Sequence, residues 1–248
     1  MMRFRPVLFL FPLVATLMAC TKEDPPWPPD QQVDVTFRPL WNGELFDKYT
    51  VYRSAADERI QIQQVKFYLS DMELRGASAA LLSEVELLDL TNGPKQRTYM
   101  VAPGEYDTLH IALGLPPEIN GADITNIDPT SPLGNNSGMY WGWATMYRFL
   151  IFDGRFDTDA GATGPLPFQF SIHTGRDTCY RERTMSFPLQ VTTGSPVSVT
   201  IDVDLAHFFT DGADVLRMSD GSQSHLALEE LPQALKLSDL AIKAITPR

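Results

Sequence analysis

The chain has 248 residues, of which 44% are hydrophobic and 21% are charged, and its formal net charge is −11. This length is sufficient to bury a large core, either as one domain or as two small ones. An acidic chain without a basic stripe cannot neutralise a phosphate backbone, which argues against nucleic acid as a partner.

The N-terminus has the features of a bacterial lipoprotein signal peptide. Two arginines precede an apolar run over residues 7–18, and the sequence "LMAC" ends this segment at Cys20. The run is too short to span a bilayer comfortably, and cleavage before Cys20 would free its thiol and amine for acylation. We therefore expect residues 1–19 to be a signal peptide, and acyl chains to hold the mature protein on a membrane. The expected location is the outer membrane or cell surface, facing the periplasm or the exterior. An ordinary signal peptide that is cleaved elsewhere is the alternative.

The segment after the signal peptide is rich in proline and polar residues. Its sequence "PPWPP" cannot form a helix or a central strand. We expect a tether over residues 20–32, followed by a single domain over residues 33–248. If Cys20 is acylated, Cys179 is the only remaining thiol, so the domain has no disulfide scaffold.

Hydrophobic and polar residues alternate in many short segments, a pattern typical of half-buried strands. Clusters of Gly, Pro, Asn and Asp separate these segments. Because no helical patterns alternate with them, they predict an all-β fold, either an antiparallel β-sandwich or a barrel. The segments are 33–40, 60–74, 85–90, 97–101, 107–115, 166–173, 183–191 and 197–205.

Two other segments interrupt the strand pattern. Residues 116–138 form a long polar loop, and such a loop inside a compact domain is usually functional or mobile. Residues 224–245 predict short C-terminal helices, which we expect to be broken near Pro232 because proline cannot continue a helix.

The chain lacks the motifs that mark common catalytic sites, such as G-x-S-x-G, H-E-x-x-H and Walker-type patterns. We therefore expect a protein that is not an enzyme. Asp153, Asp157 and Asp159 bring three carboxylates together on a turn with glycines, as calcium ligands often are. Their spacing does not fit an EF-hand loop, so a solvated acidic turn is a better interpretation than a calcium site.

The four histidines are scattered, so a metal site would require them to converge in the fold. His110 lies in mid-strand, where a hydrogen-bonded histidine is the default. His173 ends a strand beside a loop, a common place for ligands, and imidazole is a frequent copper ligand. Cys179 would complete a soft site, but a buried inert thiol is the favoured interpretation. His207 and His225 complete the set, and His225 could equally begin a helix.

The densest aromatic stretch is "GMYWGWATMYRF", residues 138–149. If residues 139–152 form one strand, alternation places its largest side chains on one face, which is typical of a sandwich core. Gly142 and Ala144 leave room on the opposite face. The aromatic face would hold Met139, Trp141, Trp143, Tyr147 and Phe149.

This stretch and its flanks resemble the MbnP-like family, the methanobactin-partner and related copper-binding proteins. In that family a loop with a "DP" element precedes an "M-x-W-x-W" block, a tyrosine, a phenylalanine and an acidic glycine turn. The resemblance covers most of residues 33–245. It departs from the family at Met146, where the family usually has glycine, and in the loop, where the family's "LDP" reads "IDP" and a longer insertion precedes Met139. The matching residues are Gly114, Asp128, Pro129, Met139, Trp141, Trp143, Tyr147, Phe149 and Gly154, with Tyr68, Ser70, Leu74, His173 and Gly175 in the flanks.

The resemblance implies a secreted or surface β-sandwich that binds copper. In some members, histidines bind copper together with a tryptophan that has been oxidised to kynurenine. A partner di-haem enzyme, related to bacterial cytochrome c peroxidases and MauG, performs that oxidation. Kynurenine offers an amine and a ketone where indole has only an N–H donor. The resemblance points to Trp141 or Trp143 as the modified residue, to Met139 and Tyr147 as neighbours, and to His173, His225 and His207 as candidate ligands.

A protein of another class is the alternative. A surface lipoprotein that serves as a binding or assembly module would use the same tryptophans only as core, and it would bind no copper.

Overall fold

The computed structural model describes residues 29–142, 146–225 and 229–248. The expected signal peptide over residues 1–19, the acylation site Cys20 and the candidate Trp143 lie outside the described residues. Within the described ranges, no helix is long and apolar enough to cross a membrane.

The described residues form fourteen strands, two α-helices and five short 3-10 turns. The strands are β1 (Gln31–Trp41), β2 (Glu44–Leu45), β3 (Tyr52–Arg53), β4 (Arg59–Gly76), β5 (Ala79–Asp89), β6 (Lys95–Val101), β7 (Gly104–Leu113), β8 (Tyr140–Trp141), β9 (Met146–Asp157), β10 (Phe168–Gly175), β11 (Arg181–Val191), β12 (Val197–Asp204), β13 (Gln223–Ser224) and β14 (Ile245–Pro247). The helices are α1 (Pro117–Asn120) and α2 (Leu231–Lys243). The 3-10 turns are Ile124–Asn126, Asn135–Ser137, Asp177–Cys179, Leu205–Phe208 and Met218–Asp220.

These strands form two sheets that share one buried core, so the predicted all-β sandwich is confirmed. The smaller sheet has the order β14-β12-β1-β2, with β6 also paired to β1. The larger sheet has the order β11-β7-β4-β9-β10-β13, with β3 and β5 paired to β4, and β8 paired to β9. Side chains from both sheets meet in the core, including Phe37 of the smaller sheet and Phe67, Phe152 and Phe170 of the larger one.

Most neighbouring strands are antiparallel, as predicted, but two pairs are parallel. β1 pairs with β12, and β10 pairs with the two-residue strand β13. Parallel neighbours require a long connection. Each of these pairs joins strands that are far apart in the sequence, so local patterns could not reveal them.

The alternating pattern sets the inward face of each strand. Val33, Val35 and Phe37 of β1 are buried, and so are Phe170 and Ile172 of β10. These residues occupy alternate positions because successive side chains of a strand point to opposite faces. At these positions of β1 and β10 the alternation predicts the buried face correctly, whereas Phe168 at the start of β10 is exposed.

A second, smaller core covers part of the outer face of the larger sheet. Residues 116–138 and α2 pack onto this face, and two tyrosines tie the long loop to it. The hydroxyls of Tyr68 and Tyr147 each donate to a loop carbonyl at 2.8 Å. The second core consists of Tyr68, Leu115, Met139, Tyr147, Phe149, Ile151, Cys179 and Ala234.

The prediction of one strand over residues 139–152 is wrong. The chain reverses there, and β8 pairs antiparallel with the start of β9, with Trp141 opposite Met146. Gly142 fits the reversal because a Cβ at this position would lie 2.6 Å from the ring of Tyr140. Trp141 and the start of β9 therefore do not belong to one continuous strand.

The C-terminal segment also differs in detail from the prediction. The described residues contain one helix there, α2, rather than helices broken at Pro232. Pro232 lies in the first turn of α2, where the missing N–H has no intrahelical partner to lose. The proline therefore starts the helix instead of interrupting it.

Candidate metal centre

Three aromatic rings converge at the edge of the second core. The ring centroids of His173 and His225 are 5.2 Å apart, and the two planes are nearly perpendicular. The ring of Trp141 lies 5.6 Å from each of them. Two candidate ligands and one candidate oxidised tryptophan therefore form a single cluster.

The order of strands in the larger sheet produces this convergence. β8, β9, β10 and β13 are successive neighbours, so residues on them approach each other although they are distant in sequence. Trp141 ends β8, and His173 lies near the end of β10. Ser224 of β13 pairs with Ile172, which places His225 directly after that pair and beside His173.

His173 is buried, and its Nε2 atom has defined partners. Nε2 lies 3.0 Å from Asp153 Oδ1 and 3.1 Å from Ser171 Oγ. The Ser171 hydroxyl donates to Asp153 Oδ1 at 2.7 Å. In contrast, Nδ1 of His173 is buried and has no hydrogen-bond partner among the residues that the structure describes.

Asp153 remains a carboxylate in this surrounding. Burial raises its pKa, but the hydrogen bond from His173 and the charge of that ring when it is protonated, the hydrogen bond from Ser171 and the charge of Arg148 together outweigh burial and lower it. An ionised carboxylate can only accept hydrogen bonds. Nε2 of His173 must therefore carry the proton that it shares with Asp153.

The segment that carries His225 is fixed at several points, although the His225 side chain itself is exposed. The backbone N–H of His225 donates to Glu230 Oε2 at 2.6 Å, just before α2. The backbone N–H of Ser171 donates to the carbonyl of Ser222 at 2.8 Å. Upstream, the buried carboxylate of Glu58 accepts two backbone N–H groups of the turn before β13.

Arg148 covers the third ring of the cluster. Its guanidinium carbon lies 4.9 Å from the ring centroid of Trp141, within the range of a cation–π contact. The guanidinium also donates to the carbonyl of Gly138. Burial lowers the pKa of Arg148, and the charge of Asp153 acts in the opposite direction.

The other candidate residues lie elsewhere. His207 is exposed in a 3-10 turn and lines a separate cavity of about 460 Å³ with Asp211 and Lys243. His110 is hydrogen-bonded to Thr184 at 3.0 Å, as expected of a structural histidine. Cys179 is buried in the second core, and burial raises the pKa of its thiol.

Met139 and Tyr147, the predicted neighbours of the tryptophan, lie in the second core beside the hairpin. Tyr147 makes an edge contact with Tyr140 at 5.0 Å, and Tyr140 precedes Trp141 in β8. Met139 is fully buried. Both residues therefore belong to the second core, against which Tyr140 of the hairpin packs.

The three aspartates that suggested calcium serve different partners. Asp153 binds His173, Asp157 forms an ion pair with Arg59 at 3.1 Å, and Asp159 caps its own turn. In the described part of the chain, no three His, Cys, Asp or Glu side chains are grouped so that they could hold a metal ion. The described residues therefore offer the cluster two histidines and no carboxylate ligand.

The sequence did not identify the partners of His173 or the role of Arg148. Ser171 and His173 are two residues apart in β10, and this spacing predicts that their side chains lie on the same face of the strand. The sequence around Asp153 indicates only a possible calcium ligand. Its contact with His173 follows from the pairing of β9 with β10, which a single sequence does not reveal.

Comparison with known proteins gives one family and one similar fold. The family model of MbnP matches residues 30–225, a range that contains all three rings of the cluster. Among solved structures, the chain is similar to MbnP from Methylosinus trichosporium, with a TM-score of 0.49 and 13% sequence identity. That similarity covers 80% of this chain and 81% of the other. No curated protein sequence matches the chain.

Proposed function

The chain belongs to the MbnP family, and from that premise we propose that it is a copper-binding protein which holds the metal with His173 and His225 beside Trp141. The observation that carries the proposal is the convergence of the three rings, together with a buried nitrogen of the His173 ring that has no hydrogen-bond partner among the described residues. A copper ion bound there would supply the electron-pair acceptor that this nitrogen lacks. The protein binds the ion and catalyses no reaction of its own.

The ring geometry fits two imidazoles that share one ion. Two metal–nitrogen bonds of about 2 Å, with roughly 1 Å from each nitrogen to its ring centre, allow centroids up to about 6 Å apart. The centroids of His173 and His225 lie 5.2 Å apart, within that limit.

The donor set favours copper over other common metals. Structural zinc sites usually have four protein ligands, and calcium or magnesium sites are rich in carboxylate oxygens. The described part of the cluster contains two imidazoles, and Asp153 is turned to Nε2 of His173. Imidazole is a good copper ligand, and a d¹⁰ Cu(I) ion can be held by few donors.

Trp141 is the residue that we propose is oxidised to kynurenine, because its ring contacts both histidines. In this reaction the C2–C3 bond of the indole breaks, and two equivalents of hydrogen peroxide supply the two oxygen atoms of N-formylkynurenine, each equivalent being reduced to one water. C3 becomes the ketone, and C2 leaves as formate after hydrolysis of the N-formyl group. A partner di-haem enzyme of the peroxidase type is the proposed catalyst, and Trp143 is the alternative substrate.

The proposed cellular setting is extracytoplasmic. Acylation of Cys20 would anchor the mature protein to the outer membrane or cell surface, and the proline-rich tether would separate the domain from the lipid. Globomycin treatment, which blocks lipoprotein signal cleavage, is expected to make the unprocessed precursor accumulate. An unchanged product size would contradict the anchor.

A copper titration tests the central proposal. The domain without residues 1–20 is produced with and without a cognate di-haem enzyme, and Cu(I) binding is measured anaerobically against a chromophoric chelator. His173→Ala and His225→Ala should each weaken binding by more than about 100-fold, since loss of an outer-shell partner alone typically costs 10–100-fold. His207→Ala is the matched control, because this exposed histidine lines the separate cavity, and it should bind as the wild type does.

The outcomes separate the two candidate functions. If neither preparation binds copper, the copper proposal fails and the binding or assembly module becomes the better description. If only the preparation made with the enzyme binds copper, and its tryptic peptide shows Trp141 converted, copper binding requires the oxidation of Trp141, as the proposal expects. If peptides from that preparation carry only unmodified Trp141, the oxidation of this residue is contradicted.

A further inference from the structure

We propose that Asp153, assisted by Ser171, is a positioning residue that makes His173 present Nδ1 rather than Nε2 to the metal. This inference rests on the proposed copper site and assigns the nitrogen that would bind there. It also gives a role to two polar side chains that lie beside the cluster but outside its three rings.

The contacts of Nε2 fix which ring nitrogen carries the proton. Asp153 Oδ1 lies 3.0 Å from Nε2, and Ser171 Oγ lies 3.1 Å from the same atom. Because the Ser171 hydroxyl donates its own proton to Asp153 at 2.7 Å, it can only accept from Nε2. Two acceptors therefore face Nε2, and the neutral imidazole must hold its proton there.

The consequence is a lone pair on the opposite nitrogen. In a neutral ring that is protonated at Nε2, Nδ1 is an acceptor, and this atom is buried without a hydrogen-bond partner in the described ranges. A buried acceptor without a partner destabilises the folded state. A metal ion on the Nδ1 side would satisfy this atom, whereas a metal on the Nε2 side would have to displace the Asp153 contact.

The arrangement is built into two paired strands. Asp153 lies opposite Ser171 in the register of β9 and β10, and His173 follows two residues later on the same face of β10. A ligating histidine commonly donates its second ring N–H to a carboxylate, which orients the ring and raises its basicity.

The tautomer of His173 in the metal-free protein is the first test. Long-range ¹⁵N–¹H correlation spectra of the ¹⁵N-histidine-labelled domain distinguish a protonated nitrogen from a bare one. We expect His173 to be protonated at Nε2 and bare at Nδ1. A predominantly Nδ1-protonated His173 would overturn the proposal, and this measurement needs neither a variant nor copper.

The second test uses Asp153→Asn, with Asp157→Asn as the matched control from the same strand. The asparagine amide offers a donor as well as an acceptor to Nε2, so His173 should become a mixture of tautomers. Affinity for Cu(I) should then fall about 10–100-fold, as is typical when an outer-shell partner is lost. Asp157 binds Arg59 and not His173, so its variant should keep both the tautomer and the affinity.

The results distinguish failure of this inference from failure of the copper proposal. Wild-type protein that binds copper, together with an Asp153→Asn variant of unchanged affinity and tautomer, overturns the positioning role alone. Wild-type protein that binds no copper refutes the metal site, and the metal-free spectra then still decide whether Asp153 sets the tautomer. Should Asp153→Asn fail to fold, as judged by its circular dichroism, the tautomer of His173 in the metal-free wild-type protein decides the proposal by itself, because that measurement needs no variant.

Discussion

Replacement of Glu58 by glutamine should lower the free energy of unfolding, because Glu58 fixes the turn that precedes β13 and His225. The Glu58 residue is only 3% exposed, and its two carboxylate oxygens accept the N–H groups of Met218 and Ser219 at 2.9 Å each. In Glu58→Gln one oxygen is retained, but the amide NH₂ faces the second backbone N–H. One charge-assisted hydrogen bond is lost and a buried donor is left without an acceptor, so the free energy of unfolding should fall by about 2–3 kcal/mol. This is a large part of a typical total of about 5–15 kcal/mol.

Urea denaturation at constant pH is the assay, with the free energy of unfolding extrapolated to water and the m-value compared between proteins. Asp57→Asn is the matched control, because this neighbouring carboxylate is 72% exposed and makes only a surface ion pair with Arg53. The control should change stability by no more than about 0.5 kcal/mol. A loss of the same small size in Glu58→Gln would refute the reasoning that this carboxylate clamps the turn.

Three further predictions concern other parts of the fold. Tyr147→Phe removes the hydroxyl that donates to Leu133 at 2.8 Å, and urea denaturation should show a loss of about 1 kcal/mol; no measurable loss would contradict it. Gly114→Ala should lower the free energy of unfolding by at least about 2 kcal/mol, because Gly114 has φ of +103° and an added Cβ would lie 2.4 Å from the Phe149 ring. A lowered melting temperature would confirm this loss. Asp202 is buried, which raises its pKa, but hydrogen bonds and charges from two arginines outweigh burial and lower it. Its contribution to stability is therefore present above its unfolded pKa of about 3.9 and is lost as the pH falls through the lower folded value. The stability gap between wild type and Asp202→Asn should narrow below about pH 4, and a gap that stays constant with pH would refute the assignment.

The sandwich could be predicted from the sequence because strand alternation is a local signal. Val33, Val35 and Phe37 repeat at the two-residue period of a strand, and all three are buried. The hairpin at Trp141 gave no such signal. Met146 at the start of β9 adopts a positive φ of 66°, a conformation that is common for glycine but rare for other residues. Because a methionine does not indicate a turn, the sequence predicts a continuous strand there.

The candidate site could be predicted only in part. His173 stood out because it ends a strand, whereas His225 was one of several scattered histidines. The two histidines are close because β10 and β13 form a parallel pair, and the paired residues of these two strands are about fifty positions apart in the sequence. Pro232 shows a similar limit, since proline can end a helix or begin one and the sequence did not distinguish the two.

In the larger sheet, neighbouring residues of one strand point to opposite faces, one to the main core and the other to the ring cluster. This alternation limits which genetic changes the protein can tolerate. Ile172 faces the main core and His173 the ring cluster, and Phe152 and Asp153 divide in the same way on β9. Substitutions on the outer face can therefore alter the chemistry of the cluster while the main core stays intact. A one-residue insertion or deletion within β10 would exchange the two faces and damage packing and ligand geometry together. Over evolutionary time, or in the laboratory, this site should diversify by substitution in strands of constant length, while changes of length are confined to the connecting loops.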